Sequence, residues 1–396
     1  MENKVVIYQY EKYIKKKLKK IKEDKEISKH NKVKILEFKR YCRAQGIGSA
    51  RILRYLNDLP QLAIILKKNF EKAEREDIEK VLHTIENSNY APRTKLDFKI
   101  TIKKFYKWIN GGEEYPQSVK WIKTGGKNNN NKIPEELITE EEVKKMIQNA
   151  IHPRDRAIIS VLWESGIRVG ELLLLQLKHI AFEERLTRIT VQGKTGMRRI
   201  PLIDSTPYLA EWINNHPFKD DPNAQLWIGI GTVGRNKPLE YASVRKLLME
   251  IAKKSGTKKK VNPHNFRHSR ATFLAKHFTE AQMKEYLGWV PGSDMAATYV
   301  HLSGRDVDDA VLKMRGLKPE EEKVESTLAP KKCPRCTLIN KATGKFCTRC
   351  GSVLDLDTAM KMQDEIKDMD EKFSRLLQDK EIQELLLKKI VKLGIK

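Results

Sequence analysis

Leu287-Gly-Trp-Val-Pro-Gly-Ser-Asp-Met-Ala-Ala-Thr-Tyr-Val-His301 decides how the rest of the chain is read. Its Gly/Pro-broken turn is followed by a short helix that carries one tyrosine, Tyr299. A phenol is a weak nucleophile near its free pKa of about 10, so a reactive tyrosine needs help from its neighbours. Upstream the chain supplies helpers suited to a phosphodiester: Arg168, Lys194, His264 and Arg267. Arg168 stands at a helix start in Gly166-Ile-Arg-Val-Gly-Glu171, where free N–H groups and the helix dipole favour phosphate. Taken alone it reads as an ordinary capping arginine. Gly193-Lys-Thr-Gly196 is a Gly-flanked turn between a β-branched strand from Thr187 to Val191 and a return strand from Arg198 to Ile203. That hairpin puts Lys194 at its tip, either as an idle exposed cation or as a mobile proton donor. Pro201 suits an edge strand. Asn262-Pro-His-Asn-Phe-Arg-His268 opens another helix, with Pro263 in the first turn and His264 and Arg267 on one face. A buried, hydrogen-bonded histidine is the bland reading of His264 or His268 alone.

In this order the motifs resemble the tyrosine recombinase (integrase) family. Arg168-Val-Gly-Glu171 matches its Arg-x-Gly-Glu motif, Lys194 its hairpin lysine and His264-Asn-Phe-Arg267 its His-x-x-Arg motif. Leu287-Gly-Trp289 matches a Leu-Gly-His/Trp step, and Tyr299 the nucleophile. The stretch through Ser303-Gly-Arg-Asp306 is most similar to archaeal integrases. Two departures stand out: Trp289 replaces the commoner histidine, and it lies one residue further from the tyrosine than is usual. The resemblance implies transesterification through a 3′-phosphotyrosine, without ATP or a catalytic metal. Arg168 and Arg267 would grip the scissile phosphate. His264 and Trp289 would add donors, Lys194 would protonate the departing 5′ oxygen, and Tyr299 would attack. Glu171 would be a supporting carboxylate. It further implies double-stranded DNA as partner and a homo-oligomer on it, a tetramer in the synaptic complex. A type IB topoisomerase and a non-catalytic DNA-binding regulator are the alternatives.

Composition agrees with a polyanionic partner. The 396 residues carry 77 Lys plus Arg against 52 acidic groups, a net charge of +25. Nucleic acid is the first candidate, an anionic membrane surface the second, and a merely lysine-rich surface the third. No apolar run approaches the length of a membrane span, and no signal peptide opens the chain, so a cytoplasmic location is expected.

The N-terminal third reads as helical and basic. Residues 1–24 form a basic helix through Lys15-Lys-Lys-Leu-Lys-Lys20. Residues 25–122 give four or five short helices, the last with Lys95, Lys99, Lys103 and Lys104 beside Phe98, Ile102, Phe105 and Trp108. This suits the family's core-binding domain. Lone Cys42, among Phe38 and Tyr41, reads as a small buried hydrophobe. Residues 123–133, with Gly125-Gly-Lys-Asn-Asn-Asn-Asn131, form a linker. Residues 134–317 form the catalytic domain, opened by the capping box Thr139-Glu-Glu-Glu142. The fold class expected is mainly α with a small antiparallel β element.

Beyond a polar linker, Cys333-Pro-Arg-Cys336 and Cys347-Thr-Arg-Cys350 are separated by ten residues. Four thiolates at that spacing predict a structural zinc site of ribbon type over 331–352, closed to catalysis, whose metal supplies its folding energy. A pair of redox CxxC disulfides is the alternative. Residues 357–394 read as one long helix with an apolar seam, Ile366, Met369, Phe373, Leu376 and Leu377, then Ile382, Leu385, Leu386 and Ile390. That seam suits a coiled coil, docking on a neighbouring protomer, or packing back on its own chain.

Overall fold

The structure is a computed structural model. It describes residues 7–125, 136–184, 186–193, 196–232, 234–302, 315 and 326–393. Lys194 falls outside the described residues, as do Ser303 to Asp306; of His301 only the helical backbone is described. The chain forms two units, Tyr8–Asn131 and a second made of Met1–Ile7 with Lys132–Lys396.

The first unit is helical: α1 (Tyr10–Glu23), α2 (Lys29–Ala44), α3 (Ser49–Leu66), α4 (Arg75–Glu86), α5 (Pro92–Ile109) and the single turn α6 (Gln117–Lys120). Each long helix buries one apolar face in a common core. Ile14 and Ile21 of the lysine-rich α1 lie there with Phe38, Leu59, Phe70, Ile78 and Phe105. The basic run of α1 therefore stands on the opposite, solvent face, with Lys15, Lys16, Lys19 and Lys20 exposed. Cys42 is buried against this core, and burial pushes its thiol up to about 11, as suits an inert packing residue. The lysines of α5 are only partly open: Lys99 pairs with Glu86 at 2.7 Å and Lys103 donates to the Ile122 carbonyl. Arg51, Arg54, Arg93, Lys103 and Lys104 instead line a cleft of about 560 Å³.

The second unit is built around α8 (Pro153–Ser165), which follows α7 (Glu140–Asn149). Thr139 and Glu142 cap α7 reciprocally, as the sequence predicts. Every residue of α8 from Ala157 onward is buried, because α7, α10 (Thr206–Asn214), α12 (Pro263–Ala275) and a sheet pack around it. That sheet is antiparallel in the order β1 (Ile180–Phe182), β2 (Thr187–Gly193) and β3 (Gly196–Leu202). Ile189 pairs with Ile200 and Thr187 with Leu202, all buried, so alternate residues of the hairpin reach the core. The register closes with Gly193 opposite Gly196. The remaining helices are α9 (Val169–Leu173), α11 (Tyr241–Lys254), α13 (Glu280–Leu287) and α14 (Met295–Leu302).

Two short strands, β4 (Lys331–Lys332) and β5 (Ile339–Asn340), hold the cysteine module. The module is docked on its own unit: Thr343 hydrogen-bonds Tyr208 of α10 at 3.1 Å, and Lys341 pairs with Glu211. Leu328, just ahead of it, is buried in the unit's main core. The helix expected to run unbroken from Asp357 is two, α15 (Leu356–Leu377) and α16 (Lys380–Leu393). Asp379 restarts it, its carboxylate accepting from the N–H groups of Glu381 and Ile382.

Candidate active site

Three arginines meet at the end of α13. Its last carbonyls have no partner within the helix and carry the negative end of its dipole. Arg198 Nε donates to the Tyr286 carbonyl at 3.0 Å, Arg267 Nη2 to Leu287 at 2.6 Å, and Arg168 Nη2 to Gly288 at 2.9 Å. Three consecutive carbonyls thus orient three guanidiniums from β3, α12 and the N-cap of α9. Gly288 is required there twice over: its φ is +62°, and a Cβ would lie 2.5 Å from the Arg198 guanidinium.

Glu171 ties the same arginines together from the other side. Its carboxylate, 5% exposed, accepts from Arg168 at 2.9 Å and from Arg198 at 3.1 and 2.8 Å. The Arg168 backbone N–H adds a further bond at 3.1 Å. Burial alone would raise the Glu171 pKa; the guanidiniums, Arg198 foremost, outweigh it and hold the group below the usual carboxylate range. Gly193 permits this approach, since a Cβ there would fall 2.4 Å from the Glu171 carboxylate. Arg168 keeps part of its fork outward, with 37% of its side chain exposed.

Arg267 is more enclosed. It donates to the Gly166 carbonyl at 2.8 Å, and its guanidinium lies 5.6 Å from the centre of the Trp289 ring. Burial, then the nearby Arg168 charge, pushes its pKa down to about 10, so it stays cationic at neutral pH. Trp289 in turn stacks on Tyr299, with ring centres 5.6 Å apart and planes 6° from parallel. Arg267, Trp289 and Tyr299 are therefore a layered set. Tyr299 is 6% exposed in a small apolar cluster with Leu274, Met283 and Leu287. Burial pushes its phenol up to about 12, against the opposing pull of the Arg267 charge.

A chain of two imidazoles ends at that phenol. His268 Nδ1 hydrogen-bonds the Tyr299 hydroxyl, and His268 Nε2 lies 2.8 Å from His264 Nε2. If Nδ1 accepts the phenol proton, neutral His268 carries its own hydrogen on Nε2 and donates to His264. His268, not His264, is the imidazole at the tyrosine. The sequence held a signal for it: His264 and His268 are four apart, so they share a helix face.

A second cluster lies in the cysteine module. The Sγ atoms of Cys333, Cys336, Cys347 and Cys350 all fall within 4.8 Å of one another. A zinc ion with four sulfurs at about 2.3 Å sets those sulfurs roughly 3.8 Å apart, so the donor set fits. The Cys336 N–H points at Cys333 Sγ and Asn340 Nδ2 at Cys347 Sγ, the outer bonds that thiolate ligands accept.

Residues 136–305 match the phage integrase family. Over that segment the relatives this chain resembles are tyrosine recombinases. It is 31% identical over 189 residues to tyrosine recombinase XerA of Pyrococcus furiosus, covering 46% of this chain and 64% of that relative. With a tyrosine recombinase of Thermosipho africanus it shares 25% identity, over 66% of this chain and 91% of the relative. Its fold resembles the XerH site-specific recombinase bound to a palindromic difH substrate, with a TM-score of 0.55 at 19% identity, over 80% of this chain and 98% of that one. A lambda integrase dimer bound to a COC′ core site gives 0.55 at 17% identity, over 69% and 78%. Among the described residues of this chain, no helix is long and apolar enough to cross a membrane.

Proposed function

We propose that this chain is a site-specific DNA recombinase that cuts and rejoins DNA through a 3′-phosphotyrosine. The observation that carries the reading is the layered set of Tyr299, Trp289 and Arg267, with Arg168 anchored on the neighbouring carbonyl. The scissile phosphate binds between Arg168 and Arg267, whose forks offer paired donors to its non-bridging oxygens and offset the charge that grows during attack. Tyr299 Oη attacks phosphorus as its proton passes to His268 Nδ1. His264 steadies the resulting imidazolium through the His264–His268 contact. The P–O bond to the 5′ oxygen breaks, and Lys194 supplies the proton that this oxygen takes up. One ester replaces another, so no ATP is consumed. Trp289 holds the phenol through its ring face and excludes water.

Duplex DNA is the partner proposed, as the XerH recombinase and lambda integrase are bound to their sites, with assembly as a homo-oligomer on its site. The exposed lysines of α1 and the Arg51–Arg54–Arg93 cleft of the helical unit supply phosphate contacts, and the net charge of +25 supports them. We assign the four-cysteine cluster to one structural zinc, bound by Cys333, Cys336, Cys347 and Cys350.

The test is strand exchange between two labelled duplexes carrying the DNA that flanks the encoding gene. The expected product is a recombinant duplex formed without ATP and in the presence of a chelator of divalent metals. Relaxation of supercoils with no recombinant product would point to a topoisomerase, and binding without cleavage to a regulator.

A further inference from the structure

We infer that α15 is a self-association element, which pairs with α15 of a second copy of this chain in antiparallel orientation. The inference is independent of the chemistry at Tyr299. Helix α15 has 22 residues, about 33 Å of helix, and buries none of them. Met362, Ile366, Met369, Phe373 and Leu376 recur at alternating spacings of four and three, with Ala359 three before the first. All five large side chains are exposed; Met369 is 69% and Phe373 61% accessible. That repeat is the narrow seam of a two-helix coiled coil, not the wide face of a helix laid on a globular core. An isolated helix this long is marginal in water, and an apolar seam of this kind stabilises it only when covered. Asp368, Glu371 and Arg375 occupy the far side.

The charges beside the seam choose the partner and its direction. Glu365 and Lys372 flank it on one side, Gln363 and Asp370 on the other. In a parallel pair, Glu365 of each chain would lie beside Asp370 of the other, placing like charges together twice. In an antiparallel pair, the seam matches itself about a point between Lys367 and Asp368. Ile366 then faces Met369 of the second copy, Met362 faces Phe373, and Ala359 faces Leu376. The same register brings Glu365 beside Lys372 of the second copy, and by symmetry does so twice. A self-complementary surface related by a two-fold axis closes as a dimer and leaves nothing to propagate.

The experiment is sedimentation equilibrium of the full chain without DNA, across concentrations up to about 50 µM, since a dimer dissociates on dilution. The wild type is expected to reach twice the chain mass. Phe373→Asp should weaken the dimer by at least about 100-fold while leaving the circular dichroism of the rest unchanged, because the residue is exposed and buries nothing in its own chain. Glu365→Lys should also weaken it, and Glu365→Lys with Lys372→Glu should restore it, since the swap exchanges the two signs. A wild type that stays monomeric overturns the proposal, whether the seam folds back on its own chain or takes a different protein. A tighter dimer with Glu365→Lys overturns the antiparallel arrangement, because only a parallel pair is relieved by that change.

Discussion

At the scale of single residues, the proposed chemistry turns on Tyr299 and His268. A phenol pushed up to about 12 is almost wholly protonated at neutral pH, so attack requires a base at contact. His268→Ala removes the imidazole proposed as that base without touching Arg168 or Arg267. DNA affinity should be unchanged, and cleavage at pH 7 should fall by roughly 10²–10⁴-fold. Between about pH 7 and about pH 9, below the value near which Arg267 loses its charge, its rate should climb as more phenolate forms; a variant as fast as wild type with the same pH profile would remove His268 from the reaction. That Arg168, His264, Arg267, Trp289 and Tyr299 come together was legible in the sequence, because short motifs in a fixed order carry them. What the sequence hid is which imidazole meets the phenol. Two histidines one turn apart are equivalent by periodicity, and only the packing of α14 against α12 separates them.

Elements meet at the knot made by Glu171. It joins the start of α9, strand β3 and, through the arginines, the end of α13. Glu171→Gln keeps the shape and removes the charge, leaving the buried Arg198 uncompensated. A loss of about 3 kcal/mol is expected by urea unfolding, the usual cost of breaking a buried ion pair. The sign with pH follows from the depressed Glu171 pKa. Its ionised form is favoured by folding, so the wild type has that stability above the ordinary carboxylate value of about 4.3 and loses it as pH falls through the lower folded value. The gap between wild type and Glu171→Gln should therefore narrow in acid; a gap constant from pH 7 to pH 3 would contradict it. The capping box of α7, the hairpin and most helix bounds were readable from caps, turns and periodicity. Arg198 was not: in sequence it is one more strand residue, and its role depends on a register that brings it opposite Val191, with its guanidinium at Gly288. The break at Asp379 was missed because both sides of it have helical periodicity, and one restart residue outweighs that pattern only locally.

Across the whole molecule, the cysteine module is a small body held onto a large one. Lys341 and Thr343 reach α10, and the tetrathiol cluster fixes the loop that carries them. Cys347→Ser should lower zinc from one ion per chain to none by elemental analysis. Hydrogen exchange should then quicken over 331–353 and leave 153–165 protected, because α8 has its own core. Full zinc retention would set the four-sulfur assignment aside. The pairing of C-x-x-C motifs was plain in the sequence; the face on which the module docks was not, since a polar contact through Thr343 and Lys341 has no periodic signature.

The central claim is that the cations gather around one phenol oxygen, and it is tested most directly by trapping the reaction halfway. The chain is incubated with a nicked duplex of its own flanking DNA, from which the short 5′-hydroxyl fragment diffuses away, and the adduct is digested and sequenced by mass spectrometry. The account predicts a nucleotide joined through its 3′ phosphate to Tyr299, absent in Tyr299→Phe although that variant binds the DNA equally well. An adduct on another residue, or one that persists in Tyr299→Phe, would contradict it.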